Sequence, residues 1–185
     1  MRKIGMAALA GIVFATAAQA TPITRIFNLS SDTYSTGAIH GGAAPTDPVN
    51  ASITVTFDPT VSTLDQTTGV TLNSINIPLD ASPIAFSFDS SSDQLEFGLF
   101  ENGVAGFSLT SNDFTVSILN PEAVTPLLGF TSYSDLASND FYIASGGKVS
   151  ATTLTAVPEP ASLALLLSGL AGCTLLARRR RQPAA

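Results

Sequence analysis

Residues 49–57 read Val-Asn-Ala-Ser-Ile-Thr-Val-Thr-Phe and alternate apolar and polar side chains over their whole length. Successive side chains of a β-strand point to opposite faces of the sheet. This alternation is therefore typical of a strand with one face in a core and the other in water. Threonine and serine fill most of the polar face. The stretch predicts a half-buried strand.

Similar short apolar runs continue along the chain and are separated by turn residues. Asn102-Gly103 is the strongest signal for a tight hairpin, and Ser145-Gly146-Gly147 also predicts a turn. The apolar phase changes between Leu72 and Ile75, which indicates a β-bulge. The 35–48 stretch, rich in Gly, Ala and Pro, predicts a loop or an unpaired edge crossing. Further strands are predicted at residues 70–79, 84–88, 95–100, 104–109, 114–118, 130–133, 141–143 and 149–154.

No window between residues 21 and 156 keeps a helical 3.6-residue apolar period, and its many Thr, Ser, Val and Ile residues favour sheet. Roughly nine short strands with frequent turns predict an all-β fold, either an antiparallel β-sandwich or a jelly roll. The segment has the length of one domain with a real core. We therefore expect a single β-sandwich ectodomain over residues 21–156.

The first 20 residues have the three parts of a secretory signal peptide. A short basic start is followed by an apolar stretch over residues 4–17 and by an Ala-x-Ala cleavage site at Ala18 and Ala20. The apolar stretch is too short for a permanent membrane anchor. Signal peptidase is therefore expected to cut after Ala20, so that the mature protein begins at Thr21.

The carboxyl end has three ordered features. Val157, Pro158, Glu159 and Pro160 come first, an uncharged apolar run over residues 161–177 follows, and the basic tail of residues 178–185 ends the chain. A helix of that apolar length spans about 25 Å, which is short but sufficient for a membrane crossing. An arginine cluster holds its end of such a helix in the cytoplasm. That cluster is Arg178, Arg179, Arg180 and Arg181.

This ordered tail resembles the PEP-CTERM sorting signal, and the resemblance covers residues 157–185. It implies a substrate of exosortase, a membrane-embedded enzyme similar to cysteine transpeptidases, in a Gram-negative bacterium that secretes exopolysaccharide. Processing near the Pro-Glu-Pro sequence would release the ectodomain from its helix. The two prolines lack backbone donors and favour an extended, accessible chain. An ordinary carboxyl-terminal anchor is the alternative interpretation.

The predicted ectodomain is strongly acidic. It carries thirteen acidic residues against Arg25 and Lys148, a net charge of −11, whereas the whole chain has −6. This sign disfavours binding to nucleic acid or anionic lipid. The single cysteine, Cys173, lies in the apolar tail, so the ectodomain forms no disulfide.

Catalytic and metal-binding signals are weak in this sequence. His40 is the only histidine and lies in a glycine-rich segment, so we predict a loop residue, no catalytic residues and no cofactor. Asp89, Asp93 and Asp113 are calcium candidates, because carboxylates at strand ends can converge on one ion. Aspartate is also a common turn residue, and this explanation is favoured.

Three functions fit these observations. The first is a non-enzymatic protein of the cell surface or extracellular matrix, associated with exopolysaccharide and biofilm and sorted by exosortase after transit through the inner membrane. The second is a calcium- or carbohydrate-binding adhesion module with the same sorting signal. The third is a secreted hydrolase with paired carboxylates. A fold alone does not distinguish them.

Overall fold

The computed structural model describes residues 22–36, 42–104 and 110–154. Within these ranges the chain forms nine β-strands and one short 3-10 helix, Phe100–Asn102. The predicted signal peptide, His40 and the sorting tail from residue 157 onward lie outside the described residues. The strands are β1 Ile23–Thr36, β2 Val49–Phe57, β3 Thr63–Gln66, β4 Val70–Ile75, β5 Ile84–Asp89, β6 Gln94–Leu99, β7 Asp113–Leu119, β8 Leu127–Asp135 and β9 Asp140–Leu154.

All nine strands join one antiparallel sheet in the order β3-β5-β6-β7-β8-β9-β1-β2-β4. The sheet curls until β4 contacts β5, so it is nearly closed around a single core. The predicted all-β class is therefore confirmed. The strands form one continuous curled sheet rather than the two separate sheets of the predicted sandwich.

The antiparallel strands define two ends of the sheet. Thr24 near the start of β1 pairs with Leu154 at the end of β9, so both strands reach the same end of the sheet. We call it the tail end. Because neighbouring strands are antiparallel, the β2–β3, β5–β6 and β7–β8 connections also lie there. The far end carries the β1–β2, β4–β5, β6–β7 and β8–β9 connections.

Aromatic side chains from opposite sides of the curled sheet meet in its interior. The rings of Phe27 and Phe97 lie 6.2 Å apart, and those of Phe57 and Phe88 lie 4.9 Å apart. Tilted ring pairs at these separations add to the stabilisation that apolar burial provides. The predicted strand at residues 49–57 supplies five buried residues to this core, at alternate positions along β2.

The interior strand β1 was missed in the sequence. Its inward positions include Arg25 and Ser31, while Ile26 on the other face is only half-buried. The apolar alternation that revealed β2 is therefore broken in β1. The predicted β-bulge is confirmed, because Ser52 and Ile53 pair with Ser74 and Leu72 and leave Asn73 as the extra residue.

The predicted turn at Ser145-Gly146-Gly147 is wrong, because these residues lie within the long strand β9. Gly147 has φ 149°, and a Cβ added there would lie 2.6 Å from the Leu128 side chain and 2.9 Å from the Ser30 oxygen. Glycine is required where neighbouring strands approach this closely. Gly147 thus marks a close contact between strands rather than a reversal of the chain.

The connection between β6 and β7 also differs from the prediction. Instead of a tight hairpin at Asn102-Gly103, a 3-10 helix and a longer segment join the two strands. Val104 lies in a turn, and residues 105–109 of the predicted strand lie outside the described residues. Val104 packs its backbone directly onto Gly98, which has no side chain to prevent this.

Candidate functional site

The main predicted site residues belong to segments beyond the described ranges. This applies to Ala18, Ala20 and Thr21 at the predicted cleavage site, to the sorting motif from Val157 to Pro160, and to the arginine cluster. Among residues 22–36, 42–104 and 110–154, no helix is long and apolar enough to cross a membrane. The predicted helix over residues 161–177 is outside those ranges. The last strand ends at Leu154, immediately before the motif.

The three calcium candidates do not lie together. Asp89 and Asp93 bracket the β5–β6 turn at the tail end, whereas Asp113 begins β7 at the far end. Asp113 is fully buried, and its Oδ1 accepts hydrogen bonds from the N–H groups of Leu99 and Phe114 at 3.2 and 2.7 Å. Within the described ranges, His, Cys, Asp and Glu residues form no group of three that could hold a metal ion.

Aspartates instead bind the backbone of turns and strand ends. Asp47 accepts hydrogen bonds from the N–H groups of Thr33 and Tyr34, and Asp80 accepts one from Asn112. Carboxylates that satisfy backbone donors stabilise a loop in one conformation. Among the described residues, eight aspartates accept at least one backbone hydrogen bond in this way, namely Asp47, Asp58, Asp65, Asp80, Asp89, Asp113, Asp135 and Asp140.

The carboxylate of Asp89 should make the stability of the folded domain depend on pH in the acidic range. Hydrogen bonds from the hydroxyl and N–H of Ser91 and from the hydroxyl of Ser92 lower the pKa of Asp89 from 3.8 to about 2. Because the folded state has the lower pKa, this stabilisation is present above pH 3.8 and is lost as the pH falls through about 2. Asp89→Asn should therefore show a smaller drop in Tm on acidification than the wild type.

Tm would be measured at about pH 5 and about pH 2 for the wild type and the variant. Glu101→Gln removes one negative charge at the far end and is the charge-matched control. Equal drops in Asp89→Asn and the wild type would contradict a role of this carboxylate in acid stability.

An open cavity of about 400 Å³ lies on the sheet beside this turn. Its polar lining includes Asp89 and Glu96, together with Gln94, whose Nε2 donates to Glu96 Oε1 at 2.7 Å and to Ser117 Oγ at 3.0 Å. The buried Oγ1 of Thr63, which also lines the cavity, has no hydrogen-bond partner among the described residues. The lining offers hydrogen-bond donors and acceptors of the kind that hydroxyl groups bind.

The three tyrosines of the chain meet near the far end. The ring of Tyr133 lies 5.1 Å from those of both Tyr34 and Tyr142, and its hydroxyl donates to the Thr46 oxygen at 3.0 Å. Burial raises the pKa of Tyr133 to about 12 and also raises that of Tyr34. Tyr133 and Tyr142 are almost fully buried, so their rings pack on each other instead of forming an exposed platform. Because Tyr34 is distant in sequence from the other two tyrosines, the sequence gave no signal of this cluster.

Arg25 has a structural role that the sequence did not reveal. Its side chain is only 3 % exposed, and its Nη1 donates hydrogen bonds to the carbonyl oxygens of Pro121 and, at 2.9 Å, Ala123. The guanidinium also lies 5.7 Å from the centre of the Phe27 ring. Burial lowers the pKa of Arg25, and the charge of Glu122 opposes this shift. Arg25 thus fixes the β7–β8 connection against the start of β1.

Arg25→Ala should destabilise the domain by about 3 kcal/mol, because charged hydrogen bonds to buried carbonyls contribute strongly to stability. Urea unfolding of the wild type and the variant would measure the loss. Lys148→Ala is the matched control, since Lys148 is exposed and its removal should change stability by about 0.5 kcal/mol or less. Equal effects of the two substitutions would contradict the structural role of Arg25.

Comparison with curated proteins and with solved structures gives no match to this chain. A family model matches at the carboxyl end, and its residues include Val157 to Pro160, the apolar run and all four arginines. This motif implies export across the membrane and processing by exosortase. Residues 156–181 are a PEP-CTERM protein-sorting motif, and the chain therefore carries an exosortase sorting signal directly after its last strand.

Proposed function

We propose that this protein is a non-enzymatic structural component of the cell surface or extracellular matrix of a Gram-negative-type bacterium, released by exosortase among exopolysaccharide. The sorting motif at residues 156–181 is the observation that carries the proposal. It follows a domain whose last strand ends at Leu154, so processing there would release the domain as a unit.

The chemistry of the acidic residues supports a structural role. In most aspartates of the described ranges, carboxylate oxygens accept hydrogen bonds from backbone N–H groups, including both buried ones, Asp113 and Asp140. Such carboxylates stabilise connections instead of being held apart for proton transfer. The remaining surface acidity keeps the released domain soluble and hydrated in a polysaccharide matrix.

Fractionation of cells that produce the full chain would test this proposal. We expect the domain in the matrix fraction and its release when the exopolysaccharide is digested. A truncation that ends at Ala156 keeps the domain but removes the sorting signal, and it should be absent from that fraction. Wild-type protein found free in the medium, with no polysaccharide-dependent retention, would contradict the proposal.

The open cavity beside the β5–β6 turn favours a second candidate, a calcium- or carbohydrate-binding adhesion module with the same sorting signal. Its polar groups suit sugar hydroxyls, and Asp89 and Glu96 add negative charge. A ligand that binds only the folded state raises Tm. Glu96→Gln should abolish any such shift, whereas Glu101→Gln at the far end should keep it. No shift with calcium or with exopolysaccharide fragments would exclude this candidate.

A further inference from the structure

Exposed apolar side chains are concentrated at the tail end of the sheet. Of the eight large hydrophobic residues that are exposed in the described part of the chain, five lie at this end and two at the far end. Single exposed apolar residues are normal, but their concentration at one end of a sheet is a feature of contact regions. The five are Val61, Leu64, Val124, Leu127 and Leu154.

The most exposed of them is presented by a fixed loop. Val124 is 90 % exposed, and the preceding residue, Ala123, accepts a hydrogen bond from Arg25. Arg25 also binds the carbonyl of Pro121, so this loop is fixed to the start of β1. Leu127 follows at the start of β8. The loop thus presents apolar groups outward next to the strand that leads into the sorting signal.

The length of the connecting chain brings this end close to the membrane. The sorting motif begins at residue 156, and residues 155–160 extend at most about 20 Å between Leu154 and the apolar run. Strand β1 has 14 residues, which corresponds to a length of about 45 Å. A domain on so short a connection therefore has its tail end beside the bilayer before processing.

We propose that the tail end is a membrane-contact surface, which holds the unprocessed domain against the bilayer beside its own sorting helix. The inference rests on the proposed function, because it requires residues 161–177 to be inserted in the membrane. Asp58, Asp89, Asp93 and Glu122 lie at the same end. Their charge makes zwitterionic lipid the preferred partner and anionic lipid a poorer one.

Lipid quenching of a fluorescent label tests this contact on the full chain in zwitterionic nanodiscs. A Cys173→Ser background removes the native thiol, and a single label is then placed through Val124→Cys or Leu127→Cys. Leu136→Cys and Phe100→Cys at the far end are matched controls for Leu127→Cys, because all three side chains are about half exposed. Lipids with a quencher near the headgroup should quench the tail-end labels several-fold more strongly than the far-end labels.

Equal quenching at all four positions would overturn the proposal, as would concentration-dependent protection of Val124 by a second copy of the chain. Val124 makes little contact with the core, so its replacement leaves folding intact, which a thermal melt of each variant checks. The assay uses no exosortase. Tail-end quenching in a protein that cells leave unprocessed would therefore refute the sorting proposal but support the membrane contact. Equal quenching at both ends in a protein that cells process normally would refute the membrane contact but support the sorting proposal.

Discussion

Gly98→Ala should strongly destabilise the domain, because the added methyl group would meet closely packed backbone. A Cβ at this position would lie 2.7 Å from the Val104 oxygen, 2.9 Å from the Val104 Cα and 3.1 Å from the Phe114 oxygen. All three atoms are backbone, so no flexible side chain can move aside. Forcing extra volume into packed structure costs about 3 kcal/mol or more in such a site.

Urea unfolding would measure this loss, with Gly42→Ala as the matched control. A Cβ at Gly42 meets nothing within 4 Å, and that residue is exposed. The control should therefore retain wild-type stability. The larger substitution Gly98→Val should prevent folding. If Gly98→Ala and Gly42→Ala unfolded at the same urea concentration, the close packing of the β6–β7 connection on β6 would be refuted.

Replacing Pro158, Glu159 and Pro160 together by alanine should leave the protein at full length in the membrane fraction. The prolines favour an extended chain without backbone donors, and Glu159 supplies the one charge before the apolar run. Alanines remove both properties and allow helix to continue toward the domain. Gel mobility and carbonate extraction of membranes would show the expected retention.

Thr155→Ala is the control for this triple substitution, because it alters the same connection but leaves the Pro-Glu-Pro sequence unchanged. It should be processed like the wild type. Release of the triple variant in wild-type amounts would show that an ordinary anchor, cut by some other means, explains the tail better than exosortase sorting.

Sequence patterns located the strands whose interior positions are apolar. The alternation at residues 49–57 matches β2 in full, and the predictions for β5 and β7 are accurate to within one residue at each end. The change of phase after Leu72 also indicated the correct bulge. These features depend on local side-chain order, which the sequence displays directly.

Features that depend on distant contacts were not visible. Strand β1 was missed because Arg25 and Ser31 occupy inward positions, and Arg25 finds its partners at Pro121 and Ala123. Gly146 and Gly147 suggested a turn, although the requirement for glycine at residue 147 arises from close contact with β1 and Leu128. The strands form one nearly closed sheet instead of two separate sheets, and this likewise depends on pairing between strands that are distant in sequence.

The intact mass of the protein from cells with and without exosortase tests the central claim most directly. With the enzyme present, we predict a species that has lost residues 161–185, together with the signal peptide of residues 1–20. Without the enzyme, the same cells should keep the carboxyl-terminal segment and hold the protein in the membrane. A mature species that still contains residues 161–185 in the presence of exosortase would contradict the account.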